Sequence, residues 1–151
     1  MIPGINKDQS VMGIVSTANA EWKGSIKEGS GEVAFGKFKG AFTFASRFET
    51  GDGTNPEQLI AAAHAGCVSM QLSGLLTAAG TPPTSIKTTA KVEIVAGKGI
   101  TSIALEMHGV VPGIDEKTFV AAAEKAKEIC PVSNALKAVP SITVKARLNK
   151  A

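Results

Sequence analysis

The stretch Thr54-Asn55-Pro56-Glu57-Gln58-Leu59-Ile60-Ala61-Ala62-Ala63-His64-Ala65-Gly66-Cys67 opens a long helix. Thr54 or Asn55 supplies a side-chain cap, Pro56 suits the first helical position, and Glu57 sits at the positive end of the dipole. Gly80 and Pro82-Pro83 stop it. The predicted helix therefore runs from about Pro56 to Ala79, roughly six to seven turns. Residues 61–67 are almost all small, and Val68 to Leu76 is apolar on most faces. A helix of this kind is buried on most sides, and its small side chains let another element approach closely.

On the N-terminal side the chain reads as strands. Gly13–Ala18 and Ala20–Gly24 are short and β-leaning, and Glu28-Gly29-Ser30-Gly31 is a turn cluster. Ala41–Phe48 alternates as a strand would: Phe42, Phe44, Ser46 and Phe48 fall on one face, and Arg47 projects from the other near the end. On the C-terminal side, Ile86–Val95 and Ile100–Val111 form a β pair around Gly97-Lys98-Gly99. Asp115 to Phe119 opens a second helix, with Phe119, Ala122, Ala123, Ala126 and Ile129 at helical spacing up to Cys130. Pro131 starts a short helical piece over 132–138, and Ser141–Leu148 is a final strand. The expected architecture is one α+β domain over residues 1–151, with antiparallel sheets covering helices.

Composition excludes several classes. The 151 residues fit one domain, and 44% hydrophobic with 19% charged residues is globular, not disordered. Sixteen Lys and Arg against thirteen Asp and Glu give a formal charge of +3, and they are scattered. No basic run or Arg-rich stripe marks a nucleic-acid binder. No stretch approaches ~18 consecutive apolar residues, so no membrane span is expected. Met1–Asp8 lacks a charged start followed by an apolar core, so a cytoplasmic location is expected. In a reducing compartment two cysteines are more often catalytic, metal-binding or buried than stapled.

Cys67, mid-helix among Ala, Gly and Val, reads locally as a small buried hydrophobe. Burial without a cation raises a thiol pKa, so for Cys67 to react the fold must bring a positive charge to it. Cys130-Pro131-Val132-Ser133 places the second thiol at an N-cap, where free N–H groups favour a thiolate. It reads equally as a helix terminus that happens to carry Cys. By local physics Cys130 is the more acidic thiol, and which cysteine attacks stays open. His64 and Cys67, with His108 and Cys130, could supply four metal ligands, but the spacing matches no compact zinc motif, and no metal or cofactor is expected. There is no GxGxxG after a strand and no P-loop, and Ser69, Ser73 and Ser133 lack a nucleophile elbow.

The run Gly53–Cys67 and the run Cys130-Pro131-Val132-Ser133-Asn134-Ala135-Leu136 together resemble the paired signature of the OsmC/Ohr family, on the OsmC side. Ala20–Gly24 and Gly29-Ser30-Gly31 extend the resemblance over nearly the whole chain. The resemblance implies a thiol-dependent peroxidase that reduces organic hydroperoxides, and more weakly hydrogen peroxide, in oxidative and osmotic stress. It implies that Cys67 attacks and passes through a sulfenic acid, that Cys130 resolves it as a Cys67–Cys130 disulfide, and that Arg47 and Glu57 tune the attacking thiol. Arg47 matches the OsmC-branch arginine, and no Arg precedes it to serve the Ohr pattern. The implied fold is an intertwined homodimer with the long helices central, and the implied reductant is a lipoyl-type or other small dithiol.

Helix length bears on that dimer. Glu57 and Cys67 are ten residues apart, about 15 Å along an unbroken helix. If Arg47 and Glu57 serve the Cys67 thiolate, a second subunit must supply them. Phe42, Phe48, Met70 and Leu136 are candidate apolar pocket residues, and equally candidates for the core. The rival readings are a non-catalytic small-molecule binder on the same fold, a redox sensor, and general thiol–disulfide exchange, the last weakened by the absence of CxxC.

Overall fold

The computed structural model describes residues 13–150. The expectation about Met1–Asp8 lies outside them. The chain divides at Pro56/Glu57 into two compact units.

The first unit is a three-stranded antiparallel sheet, β1 (Asn19–Lys23), β2 (Ser30–Phe35) and β3 (Phe38–Thr43), in that order. Gly31 on β2 is a packing requirement: any side chain there would collide with the rings of Phe42 and Trp22, which meet at 5.4 Å between centroids. Two expectations are corrected. Residues 13–18 are exposed and carry no strand. The strand expected over Ala41–Phe48 stops at Thr43 and turns into a short helix, α1 (Phe44–Phe48). A reciprocal capping box causes the switch: Ser46 N–H donates to Thr43 Oγ1 at 3.1 Å, and Thr43 N–H donates to Ser46 Oγ at 2.8 Å. Arg47 therefore sits in a helical turn, its guanidinium 5.1 Å from the Phe48 ring centroid, not on a strand face. The loop that follows is tied back to α1 through Ser46 Oγ to Thr54 O (2.8 Å) and Asn55 Nδ2 to Ser46 O (3.0 Å).

The long helix α2 spans Pro56–Ala78, one residue short of the sequence reading. Behind it come β4 (Ser85–Val95), β5 (Gly99–Val110), α3 (Glu116–Ile129), α4 (Pro131–Ala135) and β6 (Ser141–Leu148). Asp115 caps α3 by accepting from Thr118 N–H at 2.8 Å. The short α4 ends at Ala135, three residues before the expected end.

The second sheet has the order β4-β5-β6 and departs from the antiparallel expectation. β4 and β5 form the expected hairpin, with a bulge at Glu93/Ile94, but β6 pairs parallel to β5. The cause is connectivity: α3 and α4 carry the chain back to the starting end of β5 before β6 begins, as a crossover must.

One face of this sheet is wet and the other is core. Lys87, Lys91 and Glu93 on β4, Glu106 on β5, and Lys145 and Arg147 on β6 face water. Ile103, Leu105 and Met107 on β5 are fully enclosed by Val68, Leu72 and Leu76 of α2 and by Phe119, Ala123 and Ala126 of α3. Each such side chain contributes about 1.5–3 kcal/mol by leaving water. Gly109 continues the β5 core face because the Phe119 ring lies directly against its Cα. Gly109→Ala should therefore lower unfolding stability by about 1–3 kcal/mol, measured by urea titration; unchanged stability would mean the ring is free to move aside.

Candidate active site

Cys67, Cys130, Val132, Ser133 and His64 all lie in the second unit, and α2 brings one stripe of itself to the thiols. His64, Val68, Leu72 and Leu76 follow one another at four-residue spacing and are its buried side toward the sheet. The polar residues of α2 find partners there. Ser69 Oγ reaches Thr88 Oγ1 of β4 at 2.6 Å and Ala65 O at 2.7 Å. Once that stripe is set, Cys67 is turned toward the end of α3.

Cys130 is at once the last cap of α3 and the first of α4. Its N–H donates to Ala126 O at 2.9 Å, and its carbonyl accepts from Asn134 N–H at 3.0 Å. The Cys67 and Cys130 Sγ atoms lie 3.0 Å apart across 63 residues of sequence. Both are free thiols, Cys130 fully buried and Cys67 only partly.

Acidity and accessibility fall on different sulfurs. Burial raises the Cys67 thiol, and the hydrogen bond shared with Cys130 raises it further, against a smaller opposite pull from the Val132 amide. Burial also opposes ionising Cys130, but it is outweighed by the hydrogen bond from Cys67, by the amide and hydroxyl of Ser133 and by the Val132 amide. Its pKa falls below the ordinary thiol value. Cys130 makes no regular capping hydrogen bond, so these donors act through proximity to the sulfur. Within one chain the lowered pKa therefore belongs to the more deeply enclosed sulfur.

A second buried pair stands beside the thiols. His64 Nε2 is 2.6 Å from Ser133 Oγ, and both residues are buried. Burial lowers the His64 pKa and keeps the ring neutral. Sequence reading treated His64 as a metal candidate and dismissed Ser133 as a nucleophile. The missed signal was spacing: His64 stands one turn before Cys67, and Ser133 one turn after Cys130.

The remaining candidates are placed as follows. Glu57 is buried in the first turn of α2, 7% exposed, and the helix between it and Cys67 is unbroken. Arg47 belongs to the first unit, in α1. His108 lies on the solvent face of β5, its Nε2 3.1 Å from Glu106 Oε1. No group of three or more His, Cys, Asp or Glu is arranged to hold a metal among the described residues. Of the apolar candidates, Leu136 packs against the core, Phe42 against Trp22, and Phe48 against Phe44, whereas Met70 is 78% exposed on α2.

The family model described as OsmC-like protein matches residues 49–145. This chain belongs to the OsmC family. It is 49% identical over 133 residues to peroxiredoxin OsmC of Escherichia coli (strain K12), covering 84% of this chain and 93% of that protein. It is 34% identical over 100 residues to an organic hydroperoxide resistance protein of Xanthomonas axonopodis pv. citri (strain 306), covering 62% of this chain and 67% of that one. Among solved structures, an organic hydroperoxide resistance protein OsmC from Legionella pneumophila superposes with a TM-score of 0.64 at 25% identity, over 91% of this chain and 99% of its own. The OsmC-like α+β fold of this chain follows from these matches and from its own elements.

The lowered His64 pKa has a consequence for stability. As pH falls, the unfolded chain takes up a proton at this histidine before the folded chain does. The site's contribution is full above about pH 6.5 and is lost as pH drops below it. His64→Gln, which keeps a donor for Ser133, should flatten the decline in unfolding stability as pH falls below about 6.5. Urea titrations across that range measure it; an unchanged slope would mean other groups carry the acid sensitivity.

Proposed function

We propose that this OsmC-family protein reduces hydroperoxides to alcohols, with Cys67 as the attacking thiol and Cys130 as the resolving thiol. The peroxidase class and its place in stress defence follow from family membership, the relatives being named peroxiredoxin OsmC and organic hydroperoxide resistance protein. The division of labour rests on one observation: two free thiols 3.0 Å apart, of which only Cys67 is exposed enough to meet a peroxide.

The Cys67 thiolate attacks the distal oxygen of ROOH. The O–O bond breaks, the alkoxide takes a proton and leaves as ROH, and Cys67 becomes a sulfenic acid. Cys130 then attacks that sulfur. An S–S bond forms, and the hydroxyl leaves as water with the Cys130 proton. A small dithiol reduces the disulfide and is itself oxidised; a lipoyl-type compound fits the family resemblance. Organic peroxides are the favoured substrates, and cytoplasm is the expected setting.

Cys67 ionises only if a cation offsets its burial, and within a chain its nearest polarising partners favour Cys130 instead. Arg47 is the group assigned to this, because a guanidinium stays charged and offers directed donors to both thiolate and peroxide oxygen. Glu57 is assigned to hold Arg47. Since Glu57 stands about 15 Å along an unbroken helix from Cys67, the Arg47 and Glu57 of one subunit serve the thiols of another.

The surface of α2 supports the dimer. By length and apolar content alone this helix could cross a membrane, yet within the chain it buries only Glu57 and the stripe His64, Val68, Leu72 and Leu76. Ala62, Gly66, Met70 and Gly74 form an exposed row on another side, and a side chain added at Gly66 or Gly74 would meet nothing. A second copy of the same helix is the proposed cover. Gly74→Leu, harmless to the chain's own packing, should shift sedimentation velocity toward monomer; an unchanged dimer would place the contact elsewhere.

Peroxide consumption with a dithiol supplied tests the scheme. Cys67→Ser should consume none, and Cys130→Ser should complete one turnover and stall as a sulfenic acid trappable by dimedone. Arg47→Ala should slow the first step by about a hundredfold. Loss of the first step in Cys130→Ser alone would reverse the roles.

A further inference from the structure

The scheme above leaves His64 and Ser133 without work. The two residues are 69 positions apart in sequence, both buried, and joined at 2.6 Å. The other imidazole nitrogen, Nδ1, is buried and has no partner among the described residues. A neutral imidazole carries one N–H and one lone pair. Orphaned buried N–H groups are rarer than orphaned acceptors. In the tautomer that leaves no buried N–H orphaned, the proton sits on Nε2 and donates to Ser133 Oγ, and Nδ1 keeps the lone pair. With its oxygen occupied as acceptor, the Ser133 hydroxyl directs its own proton elsewhere. Ser133 stands in the first turn of α4, three residues after the N-cap Cys130, and its hydroxyl and amide are among the groups that lower the Cys130 pKa.

Access then decides which sulfur leaves. Cys130 is 0% exposed, whereas Cys67 is partly open. A dissolved thiolate attacking a Cys67–Cys130 disulfide reaches the Cys67 sulfur. The S–S bond breaks, Cys67 is held in a mixed disulfide with the reductant, and the electron pair leaves on Cys130. The second thiol of the reductant then displaces Cys67, and the reductant leaves as its own disulfide. Exchange is faster when the leaving sulfur is better stabilised as an anion.

We propose that His64 and Ser133 form a positioning pair that aims a hydroxyl proton at Cys130, fixing Cys130 as the sulfur expelled when a reductant attacks Cys67 and as the nucleophile that closes the disulfide. His64 acts through Ser133, which stands one turn after Cys130 in α4. The proposal rests on the two-cysteine reading above, but its test need not use peroxide.

The disulfide is formed with diamide in wild type, Ser133→Ala, Ser133→Thr, His64→Leu and His64→Gln, and its reduction by dithiothreitol is timed. Ser133→Ala and His64→Leu should be reduced roughly tenfold more slowly. Ser133→Thr keeps the hydroxyl and His64→Gln keeps an N–H of similar reach, so both should recover most of the rate. In a Cys67→Ser background, thiolate absorbance should show Cys130 titrating at higher pH once Ser133 is alanine. Reduction of Ser133→Ala at the wild-type rate would overturn the proposal, as would His64→Gln as slow as His64→Leu, which would make the histidine a packing residue. Because diamide replaces peroxide, these outcomes are independent of whether the wild type consumes peroxide.

Discussion

The seating of one stripe of α2 on the β4-β5-β6 core governs the rest of this structure. Val68, Leu72 and Leu76 leave water there, and Ser69 is pinned to Thr88. A helix that is apolar nearly all round has no strong rotational preference of its own, because every face gains by burial. The polar residues break the tie. His64 and Ser69 find partners in Ser133 and Thr88. The rotation in which they do so brings Cys67 within 3.0 Å of Cys130. Hydrophobic burial supplies the free energy, and two hydrogen bonds choose the geometry.

The thiol pair expresses a conflict that the single chain does not resolve. The same enclosure that holds Cys130 against Cys67 surrounds Cys130 with donors and leaves Cys67 with few. Nucleophilicity needs a thiolate, and reaction with a solute needs access. Separating these two properties over neighbouring sulfurs suits the two-step cycle proposed above: a partly open sulfur, and an enclosed one whose pKa is lowered.

Much of the fold could be read from residues alone, for definite reasons. The Asn55-Pro56-Glu57 start and the Gly80 stop are local signals, and α2 came within one residue of its reading. The alternation in 85–95, 99–110 and 141–148 reflects a sheet with one wet face and is strong wherever that is so. The failures were non-local or reciprocal. At Ala41–Phe48 the alternating phenylalanines spoke for a strand, while the Thr43–Ser46 box, two modest residues acting together, turned the chain into α1. The parallel direction of β6 follows from where α3 and α4 deliver the chain, which no side-chain pattern records. At the site, the cysteines stood out through the family motifs, but the His64–Ser133 contact joins residues 69 positions apart whose types are unremarkable singly.

The parallel pairing of β6 with β5 also sets an order of events during synthesis. A parallel neighbour can be added only after the whole crossover has been made, so this edge of the sheet depends on contacts distant in sequence, which form slowly. The β4–β5 hairpin and α2 need nothing beyond residue 110 and are available early. Cys130 and the α3 face that carries Phe119 over Gly109 arrive later, with β6 closing the edge last. A growing chain thus carries Cys67 for some time with no second thiol beside it. In that interval Cys67 lacks both its neighbouring thiol and the part of its enclosure that the crossover supplies. The crossover that leads to β6 is thus also what brings a second thiol to within 3.0 Å of Cys67.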